Sequence, residues 1–348
     1  MVRRRTLFEW WSHDIAIDLG TANTLVALGR KGVVINEPSL VAYRGDKEII
    51  AIGDPAHSMR GRSPNNYKVK RPLVDGVVAD FEATEMMLKH FISKIHRQYK
   101  VMNPRPRVVV GLPATVTDVE RRAVSETVKG SGARKVYMIE EPIAAALGSG
   151  VPVFDSKGSI VVDIGGGTTE VALISYGGIT ITKSLRTAGD EISEAIIEQL
   201  KEDAGLQIGL SSAEDIKKNI SVSDFIKSDK SIKIRGKDVL SGLPKQVDVR
   251  SEYFSKRIIQ QLRPIIDTVK ATLDESPTDL LIDISQKGII VTGGGALING
   301  LSELMEKELK VKINIPDNSL TTVVEGASMV LQNPEIRKRL SESGRMEA

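Results

Sequence analysis

The sequence predicts an α/β protein built from two similar units. Two segments, Ile17–Thr24 and Val162–Glu170, each place an Asp at the end of an apolar run, follow it with a turn of Gly and Thr, and continue into a second apolar run. The order of predicted elements repeats as well, since in each half a meander of short strands precedes helices and further strands. The chain has 348 residues, of which 41% are hydrophobic, so it can bury more than one core. We therefore expect two α/β domains with a cleft between them.

The elements of the first half follow from apolar runs and the residues that punctuate them. Short runs of strand length alternate with turn residues, and helix-period patterns follow. Thr117 and Asp118 are typical helix N-caps, and Pro142 is typical of a first helical turn. We predict strands at 15–18, 24–28, 33–35, 40–43, 107–110 and 135–139, and helices at 82–99, 118–131 and 142–147.

The second half repeats this order, and two insertions break the symmetry. We predict strands at 159–164, 170–175, 179–184 and 289–292, and helices at 191–204 and 252–273. A first insertion, from about 37 to 74, is rich in Gly, Pro, Arg and Asn. A second, from about 190 to 250, is charged and contains two weak strand patterns around 231–235 and 245–249. The tail from Asn333 onward is charged and is expected to fray.

Composition and charge argue against several classes of function. The formal net charge of +3 equals the contribution of Arg3–Arg5, so the remainder is close to neutral and offers no basic face for nucleic acid. The chain has no Cys and only four His, none at metal-ligand spacing, which argues against disulfides, thiolate chemistry and a zinc site. No apolar run approaches the roughly 20 residues of a membrane-spanning helix. We expect a cytoplasmic protein.

Three Gly-rich turns follow predicted strands and indicate phosphate binding. They lie at Gly20, at Gly165–Gly167 and at Gly293–Gly295. Glycine lets backbone N–H groups approach an anion closely, and the Thr in each of the first two turns adds a hydroxyl donor. Two such turns facing each other would hold a polyphosphate from both sides.

The Asp before each of the first two turns is a candidate metal ligand. Asp18 and Asp163 can hold Mg²⁺, most simply through its waters, because Mg²⁺ sheds water reluctantly. The alternative is that each Asp only shapes its turn. Both follow apolar residues, where a carboxylate without a partner would be costly, and this favours the metal interpretation.

An acidic pair lies between the two phosphate turns. Glu140 and Glu141 precede Pro142 and a run of small apolar residues, which predicts an acid at a helix N-terminus. One interpretation is helix capping. The other is that one of the two acids orients or activates the water that attacks a γ-phosphate.

The motifs together resemble those of the MreB family, the bacterial actin-like cytoskeletal proteins. The wider superfamily of actin, Hsp70 chaperones and sugar kinases shares the phosphate turns, whereas NEPS and TDVERRA resemble the MreB branch alone. The resemblance implies an actin-like ATPase fold, with two duplicated α/β domains around an interdomain nucleotide cleft and a smaller subdomain inserted in each. It covers about residues 13 to 330 and rests on IDLGTANT at 17–24, NEPS at 36–39, RPLVDGVVADF at 71–81, GLPATVTDVERRA at 111–123, IEEPIAAALG at 139–148, VDIGGGTTEVALIS at 162–175, AGDE at 188–191 and VTGGGALINGL at 291–301.

The resemblance implies roles for individual residues. Glu141, directly before the proline, matches the acid that positions the hydrolytic water, with Glu140 as the weaker match. Asp163 matches the Mg²⁺-associated acid of catalysis, and Asp18 is the second candidate metal ligand. The expected ATP-binding residues are Asp18, Gly20, Thr21, Ala22 and Asn23 in the first turn; Gly165, Gly166, Gly167 and Thr168 in the second; and Gly189, Asp190, Glu191, Glu214, Asp215, Ile216, Lys217, Gly293, Gly294, Gly295, Ala296 and Leu297 around the ribose and base.

The resemblance also implies four subdomains and a separate N-terminal segment. Residues 1–12 form that segment. Subdomain IA is expected at 13–36, 75–155 and 320–348, IB at 37–74, IIA at 156–189 and 251–319, and IIB at 190–250.

By resemblance, the chain binds and slowly hydrolyses ATP and polymerises with itself into paired protofilaments beneath the membrane. It would organise cell-wall synthesis and set rod cell shape, with the cell-wall elongation machinery and a transmembrane adaptor as partners. One alternative is a monomeric ATPase of the Hsp70 or sugar-kinase type, which would need a substrate-binding β-domain or a base facing a sugar. Another is an actin-like filament that positions plasmids or organelles, which only the NEPS and TDVERRA segments disfavour.

The first twelve residues predict a peripheral membrane anchor. Trp10 and Trp11 lie close to Arg3–Arg5, and on a helix Leu7, Phe8 and Trp11 share one side. Trp prefers the headgroup boundary, and each basic residue near an anionic leaflet contributes about 1 kcal/mol. The alternative is a tail whose Trp side chains cover the domain edge. We therefore expect binding to the anionic inner face of the cell membrane.

Overall fold

The structure is a computed structural model that describes residues 14–45, 48–64, 66–99, 105–222, 231–250 and 252–347. The predicted membrane anchor at 1–12 lies outside these residues. The described chain falls into two compact units. The first contains 14–156, Ile174–Thr180 and 321–347, and the second contains Lys157–Leu173 and Ile181–Leu320.

Strands and helices alternate along both units. The strands are β1 Ile15–Leu19, β2 Asn23–Leu28, β3 Gly32–Pro38, β4 Val41–Arg44, β5 Glu48–Ile52, β6 Tyr67–Lys70, β7 Leu73–Val74, β8 Val77–Val78, β9 Arg107–Leu112, β10 Lys135–Glu140, β11 Ser159–Ile164, β12 Thr169–Ser175, β13 Gly178–Leu185, β14 Leu206–Gln207, β15 Ser231–Asp238, β16 Pro244–Arg250, β17 Ile289–Thr292, β18 Ile313–Asn314 and β19 Met346–Glu347. The helices are α1 Asp54–Met59, α2 Phe81–Gln98, α3 Asp118–Gly130, α4 Glu141–Gly148, α5 Gly189–Ala204, α6 Leu210–Lys217, α7 Glu252–Glu275, α8 Thr278–Lys287, α9 Leu301–Leu309, α10 Thr322–Gln332 and α11 Pro334–Glu342.

The first unit is organised by a six-stranded sheet in the order β19-β10-β9-β1-β2-β3. Strands β1, β9 and β10 are parallel, so their carboxyl ends meet at one edge of the sheet. The core forms because alternate apolar side chains of these strands and one face of α2 pack together, with Ile15, Ile17, Met87 and Phe91 fully buried. The carboxyl edge therefore carries the first Gly turn after β1 and the acidic pair after β10.

The second unit is organised by a five-stranded sheet in the order β13-β12-β11-β17-β18. Strands β11, β17 and β18 are parallel, and the register places Asp163 opposite Thr292. Its core includes the fully buried Ile160, Phe254 and Leu262. Each sheet therefore has a strand that ends in the Asp–Gly motif, β1 or β11, flanked by the strand returning from the turn and by a parallel strand. This confirms the predicted α/β fold and its internal repeat.

Two insertions contain small sheets of their own. In the first unit, β5, β4 and β6 form a three-stranded sheet with α1, and β7 pairs with β8. In the second, β14, β15 and β16 form a three-stranded sheet. The two weak strand patterns predicted around 231–235 and 245–249 are confirmed as β15 and β16, which are longer than predicted.

The charged tail was expected to fray, and this prediction is wrong. Residues after Asn333 form α11, whose first N–H groups are capped by the Asn333 Oδ1, and then β19, which pairs antiparallel with β10. Leu340 and Met346 are buried. Two buried apolar side chains, a capping Asn and pairing with β10 thus stabilise a segment that is polar overall.

Candidate functional site

The first Gly turn, between β1 and β2, is tightly closed. A Cβ on Gly20 would lie 2.7 Å from the backbone oxygen of Asn23, so only glycine fits without a shift. Thr21 is buried, and its Oγ1 accepts a hydrogen bond from the Gly76 backbone N–H at 2.9 Å. Asp18 lies partly buried in β1 just before the turn.

Ser39 braces this turn, although sequence reasoning did not place it in the site. Its hydroxyl donates to the Gly20 carbonyl oxygen at 2.6 Å and lies 2.9 Å from the Thr24 Oγ1. Its backbone N–H donates to the Ala22 oxygen at 2.9 Å. Ser39 is the last residue of the NEPS segment, so that segment was the available signal.

The two residues of the acidic pair, Glu140 and Glu141, have different surroundings. Glu140, at the end of β10, lies 3.2 Å from the Arg345 Nη1, which comes from the C-terminal segment. Burial raises the pKa of Glu140 even though Arg345 acts in the opposite direction. Glu141 opens α4 with Pro142 behind it, and its Cγ lies 3.2 Å from a Cβ built on Gly111. Glu140 therefore has a strong partner on the same unit, and Glu141 occupies the helix start next to β9.

The second Gly turn, between β11 and β12, is held by backbone groups. The Gly165 N–H donates to the Thr168 oxygen at 2.9 Å across the turn. The first N–H groups of α5, those of Gly189 and Asp190, donate to the Gly165 and Gly166 oxygens at 3.1 and 2.8 Å. The start of α5 and the second turn therefore form one hydrogen-bonded unit.

The third Gly turn packs directly on the end of β11. Gly293 has a φ of +82°, and a Cβ there would lie 2.4 Å from the Asp163 Oδ1. A Cβ on Gly295 would lie 2.2 Å from the Ile164 Cγ2. Burial raises the pKa of Asp163 to about 6. Glycine is therefore required beside a carboxylate that the protein strongly desolvates.

The remaining predicted residues of the second unit lie around the start of α5. Glu191 Oε2 accepts from the Ala188 N–H at 2.7 Å, which caps the helix. Lys217, the last residue of α6, donates to the Gly189 oxygen at 2.8 Å and to Glu214 Oε1 at 2.7 Å. Burial alone would raise the pKa of Glu214, but Lys217 and Ser193 together lower it. Ile216 and Ala296 are buried, whereas Leu297 is exposed.

The predicted residues thus fall into two clusters, one in each unit. The first cluster contains Asp18, the first turn and the pair Glu140–Glu141 at the carboxyl edge of the six-stranded sheet. The second contains Asp163, the second and third Gly turns and the α5–α6 residues. Chemically, the turns offer backbone and hydroxyl donors to an anion, and the carboxylates suit a hard cation.

The donor set fits a magnesium ion held mainly by its ligand and waters. The described residues contain no group of three or more His, Asp or Glu side chains that could hold a metal alone. Asp163 is an oxygen donor whose charge is disfavoured by burial, so a cation beside it would offset that cost. One or two carboxylates plus phosphate oxygens are the usual Mg²⁺ environment.

The fold is similar to that of solved actin-like structures. The crystal structure of MreB5 of Spiroplasma citri bound to AMPPNP superposes with a TM-score of 0.88 at 36% identity, covering 95% of this chain and 99% of that one. A MamK double helical filament has a TM-score of 0.78 at 21% identity, which shows the shared fold. The chain therefore has the actin-like α/β fold.

The family follows from sequence. The family model described as MreB/Mbl protein matches residues 12–339. The cell shape-determining protein MreB of Escherichia coli is 42% identical over 327 residues, covering 92% of this chain and 94% of the relative. The cell shape-determining protein Mbl of Bacillus subtilis is 42% identical over 324 residues, covering 93% and 97%. This chain belongs to the MreB/Mbl family.

No helix within the described ranges is both long enough and apolar enough to cross a bilayer.

Proposed function

We propose that this chain binds ATP with Mg²⁺, hydrolyses it slowly, and polymerises into membrane-associated filaments that organise cell-wall synthesis and set rod cell shape. The observation that carries the proposal is the pair of Asp–Gly turns, each rigidly held at a sheet edge in a chain of the MreB/Mbl family. Structures of MreB5 of Spiroplasma citri bound to AMPPNP and to ADP support the choice of nucleotide.

We assign the phosphates to the two Gly turns. Gly20–Asn23 would contribute donors from the first unit and Gly165–Thr168 from the second. In both turns the carbonyl oxygens that hold the loop are already engaged by Ser39 or by α5, so the donors are positioned before a ligand arrives. Gly189–Glu191, Glu214–Lys217 and Gly293–Leu297 would surround the nucleoside.

Asp163 and Asp18 would hold the Mg²⁺, which when bound neutralises phosphate charge. Burial makes the charged form of the Asp163 carboxylate costly, and a cation beside it would offset that cost, which supports its assignment. The rigid packing of Gly293 against it limits its freedom to turn away.

Glu141 is proposed to position the hydrolytic water. Its place at the first turn of α4 keeps the carboxylate at the carboxyl edge of the sheet that also carries the first phosphate turn. Glu140 is the weaker candidate because Arg345 engages its carboxylate. A water-positioning carboxylate contributes typically 10²–10⁴-fold to a rate, so slow hydrolysis depends on it.

Self-assembly is supported by the filament-forming relative MamK and by an exposed apolar tip. The tip joins β15 to β16 and consists of Val239, Leu240 and Leu243, with Leu240 96% exposed. Clustered exposed apolar side chains mark interaction surfaces. We propose that this tip contacts a second copy of the chain. The four-subdomain boundaries and the membrane anchor at residues 1–12 remain part of the proposal.

The proposal is tested with the purified chain and Mg·ATP. Sedimentation and electron microscopy, with and without anionic liposomes, should show filaments that need nucleotide and that bind the liposomes, and phosphate release should be slow. Leu240→Asp should reduce sedimentation while ATP binding is kept, and the matched control Tyr176→Ser, at an exposed turn of the first unit, should not. A chain that stays monomeric with bound Mg·ATP contradicts the filament function.

Removal of residues 1–12 should abolish liposome binding, and unchanged binding contradicts the membrane anchor.

A further inference from the structure

A buried serine lies at the centre of the polar network that joins α5 to α6. Ser193 is 0% exposed. Its Oγ lies 2.5 Å from Glu214 Oε1 and 3.1 Å from the Gly189 oxygen, and it accepts a hydrogen bond from the Lys217 Nζ at 2.9 Å. A hydroxyl has a single proton to donate, so the shorter contact to the carboxylate takes it.

The ammonium of Lys217 is fully used inside this network. It has three N–H donors and three acceptors around it: the Gly189 oxygen, the Ser193 Oγ and Glu214 Oε1, all between 2.7 and 2.9 Å. Its side chain is only 14% exposed. Lys217 therefore links α5 to α6. A nucleotide could accept a hydrogen bond from its ammonium only by displacing one of these three bonds.

The carboxylate of Glu214 is oriented by the same contacts. Among the described residues, the hydrogen bonds to this carboxylate from Ser193 and Lys217 both go to Oε1. The side chain is 34% exposed, so the group as a whole is not closed off from solvent. Lys217 and Ser193 hold the pKa of Glu214 below its ordinary value despite burial, so it is an ionised acceptor.

The network is hydrogen-bonded to the second phosphate turn in a few steps. The Lys217 ammonium donates to the Gly189 oxygen, and the Gly189 and Asp190 N–H groups donate to the carbonyl oxygens of the turn. In a nucleotide, the group next to the phosphates is a ribose, whose hydroxyls are donors. An ionised carboxylate with one oxygen occupied internally is suited to accept from such a hydroxyl through the other.

We propose that Ser193 is a positioning residue that fixes Glu214 and Lys217 so that Glu214 receives a ribose hydroxyl. The proposal rests on the proposed ATP binding. Ser193 itself touches no ligand; it sets the direction of the carboxylate and keeps Lys217 from competing for the nucleotide. No local signal in the sequence marks it, because its two side-chain partners are 21 and 24 residues away.

The test compares ATP with 2′-deoxy-ATP and 3′-deoxy-ATP in direct binding measurements. We expect Ser193→Ala to weaken ATP binding about 10-fold, the size of one lost hydrogen bond to a charged group, and to reduce the preference for ATP over at least one deoxy analogue. Ser193→Thr, which keeps the hydroxyl, should restore both within about twofold. Lys217→Met, which keeps the stem and removes the three donors, should act like Ser193→Ala.

The controls separate positioning from folding. Ser131→Ala removes a buried hydroxyl whose hydrogen bond, within the described part of the chain, goes to the Val128 oxygen of the preceding helix, and it should leave nucleotide preference unchanged. A Ser193→Ala protein with lowered thermal stability but unchanged ATP affinity and unchanged ribose preference overturns the proposal. If the unaltered chain binds no ATP, the proposed function fails; if it binds ATP and Ser193→Ala binds equally well, only the Ser193 proposal fails.

Discussion

The first and second Gly turns share a sequence pattern but are held in different ways. Around the first turn, side-chain hydroxyls make the bracing contacts: Ser39 donates to the Gly20 oxygen, and Thr21 accepts from the Gly76 N–H. Around the second, the backbone of α5 binds the turn carbonyls directly, and the third Gly turn packs against the Asp. Gly20 is tightly packed as well, so the difference lies in the bracing groups, which are hydroxyl side chains around the first turn and the α5 backbone with the third Gly turn around the second. We therefore expect Ser39→Ala to affect the first turn and Gly293→Ala to affect the second.

The largest expected effect is that of Gly293→Ala. The new Cβ would overlap the Asp163 Oδ1 and the Ile164 oxygen, and the residue would keep a positive φ, so we expect a loss of about 3 kcal/mol or more in the free energy of unfolding. Urea unfolding measures it. Gly294→Ala is the matched control, because its Cβ would meet only the Leu320 Cδ2 at 3.6 Å. Equal losses in the two variants would show that close packing does not hold the second turn.

The second effect separates chemistry from binding. Glu141→Ala should keep ATP binding and slow hydrolysis by about 10²-fold or more, because the water would lose its orienting carboxylate. Phosphate release and nucleotide binding measure the two quantities. Asp163→Ala should instead abolish Mg·ATP-dependent turnover. Unchanged turnover in Glu141→Ala would move the role to Glu140 or dismiss it.

A smaller effect is expected at the brace of the first turn. Ser39→Ala leaves the Gly20 oxygen without its hydroxyl donor and should cost about 1–2 kcal/mol in unfolding free energy, with several-fold weaker ATP binding. Thr169→Val is the counterpart in the second unit, since its hydroxyl donates to the Thr187 oxygen outside the turn. Thr169→Val should lower the free energy of unfolding with little change in ATP affinity. A larger loss of ATP affinity in Thr169→Val than in Ser39→Ala would contradict the proposed difference between the two turns.

The last effect, similar in size to that of Ser39→Ala, concerns pH. Because the folded protein raises the pKa of Asp163 from 3.8 to about 6, the stability from the protonated form is complete below about pH 4 and is lost as pH rises through about 6. Asp163→Asn cannot ionise, so it should stabilise the ligand-free protein at pH 8 and not at pH 3.5. The full shift corresponds to about 3 kcal/mol, and partial solvent contact of the side chain reduces our expectation to about 1–2 kcal/mol. Urea titrations at both pH values measure the difference, and an equal gain at both would exclude the ionisation of Asp163 as its cause.

Local patterns predicted the parts of the fold and site that depend on neighbours in sequence. Strands β1 and β11, in which the Asp is the second-last residue, and the Gly turns after them follow from apolar runs and glycines within about ten residues. The capping of α3 is another case: Thr117 and Glu120 exchange hydrogen bonds only three residues apart.

Residues that act over long sequence distances were not predicted as part of the site. Ser39 meets Gly20 across 19 residues, and Arg345 meets Glu140 across 205. No periodicity encodes such pairs, because sheet and helix packing decide them. The prediction that the charged tail would fray was wrong for the same reason. The tail is stabilised by pairing with β10 and by the buried Leu340, and its composition reveals neither contact.

Strand β19 has a consequence for how copies of this chain can associate. Without it, β10 would be the border of the six-stranded sheet, with its outward N–H and C=O groups open to a strand from another molecule. Two residues, Met346 and Glu347, occupy part of that border instead. The C-terminal strand therefore leaves less of β10 open to pairing with a strand from another molecule than β10 would offer as a bare sheet border.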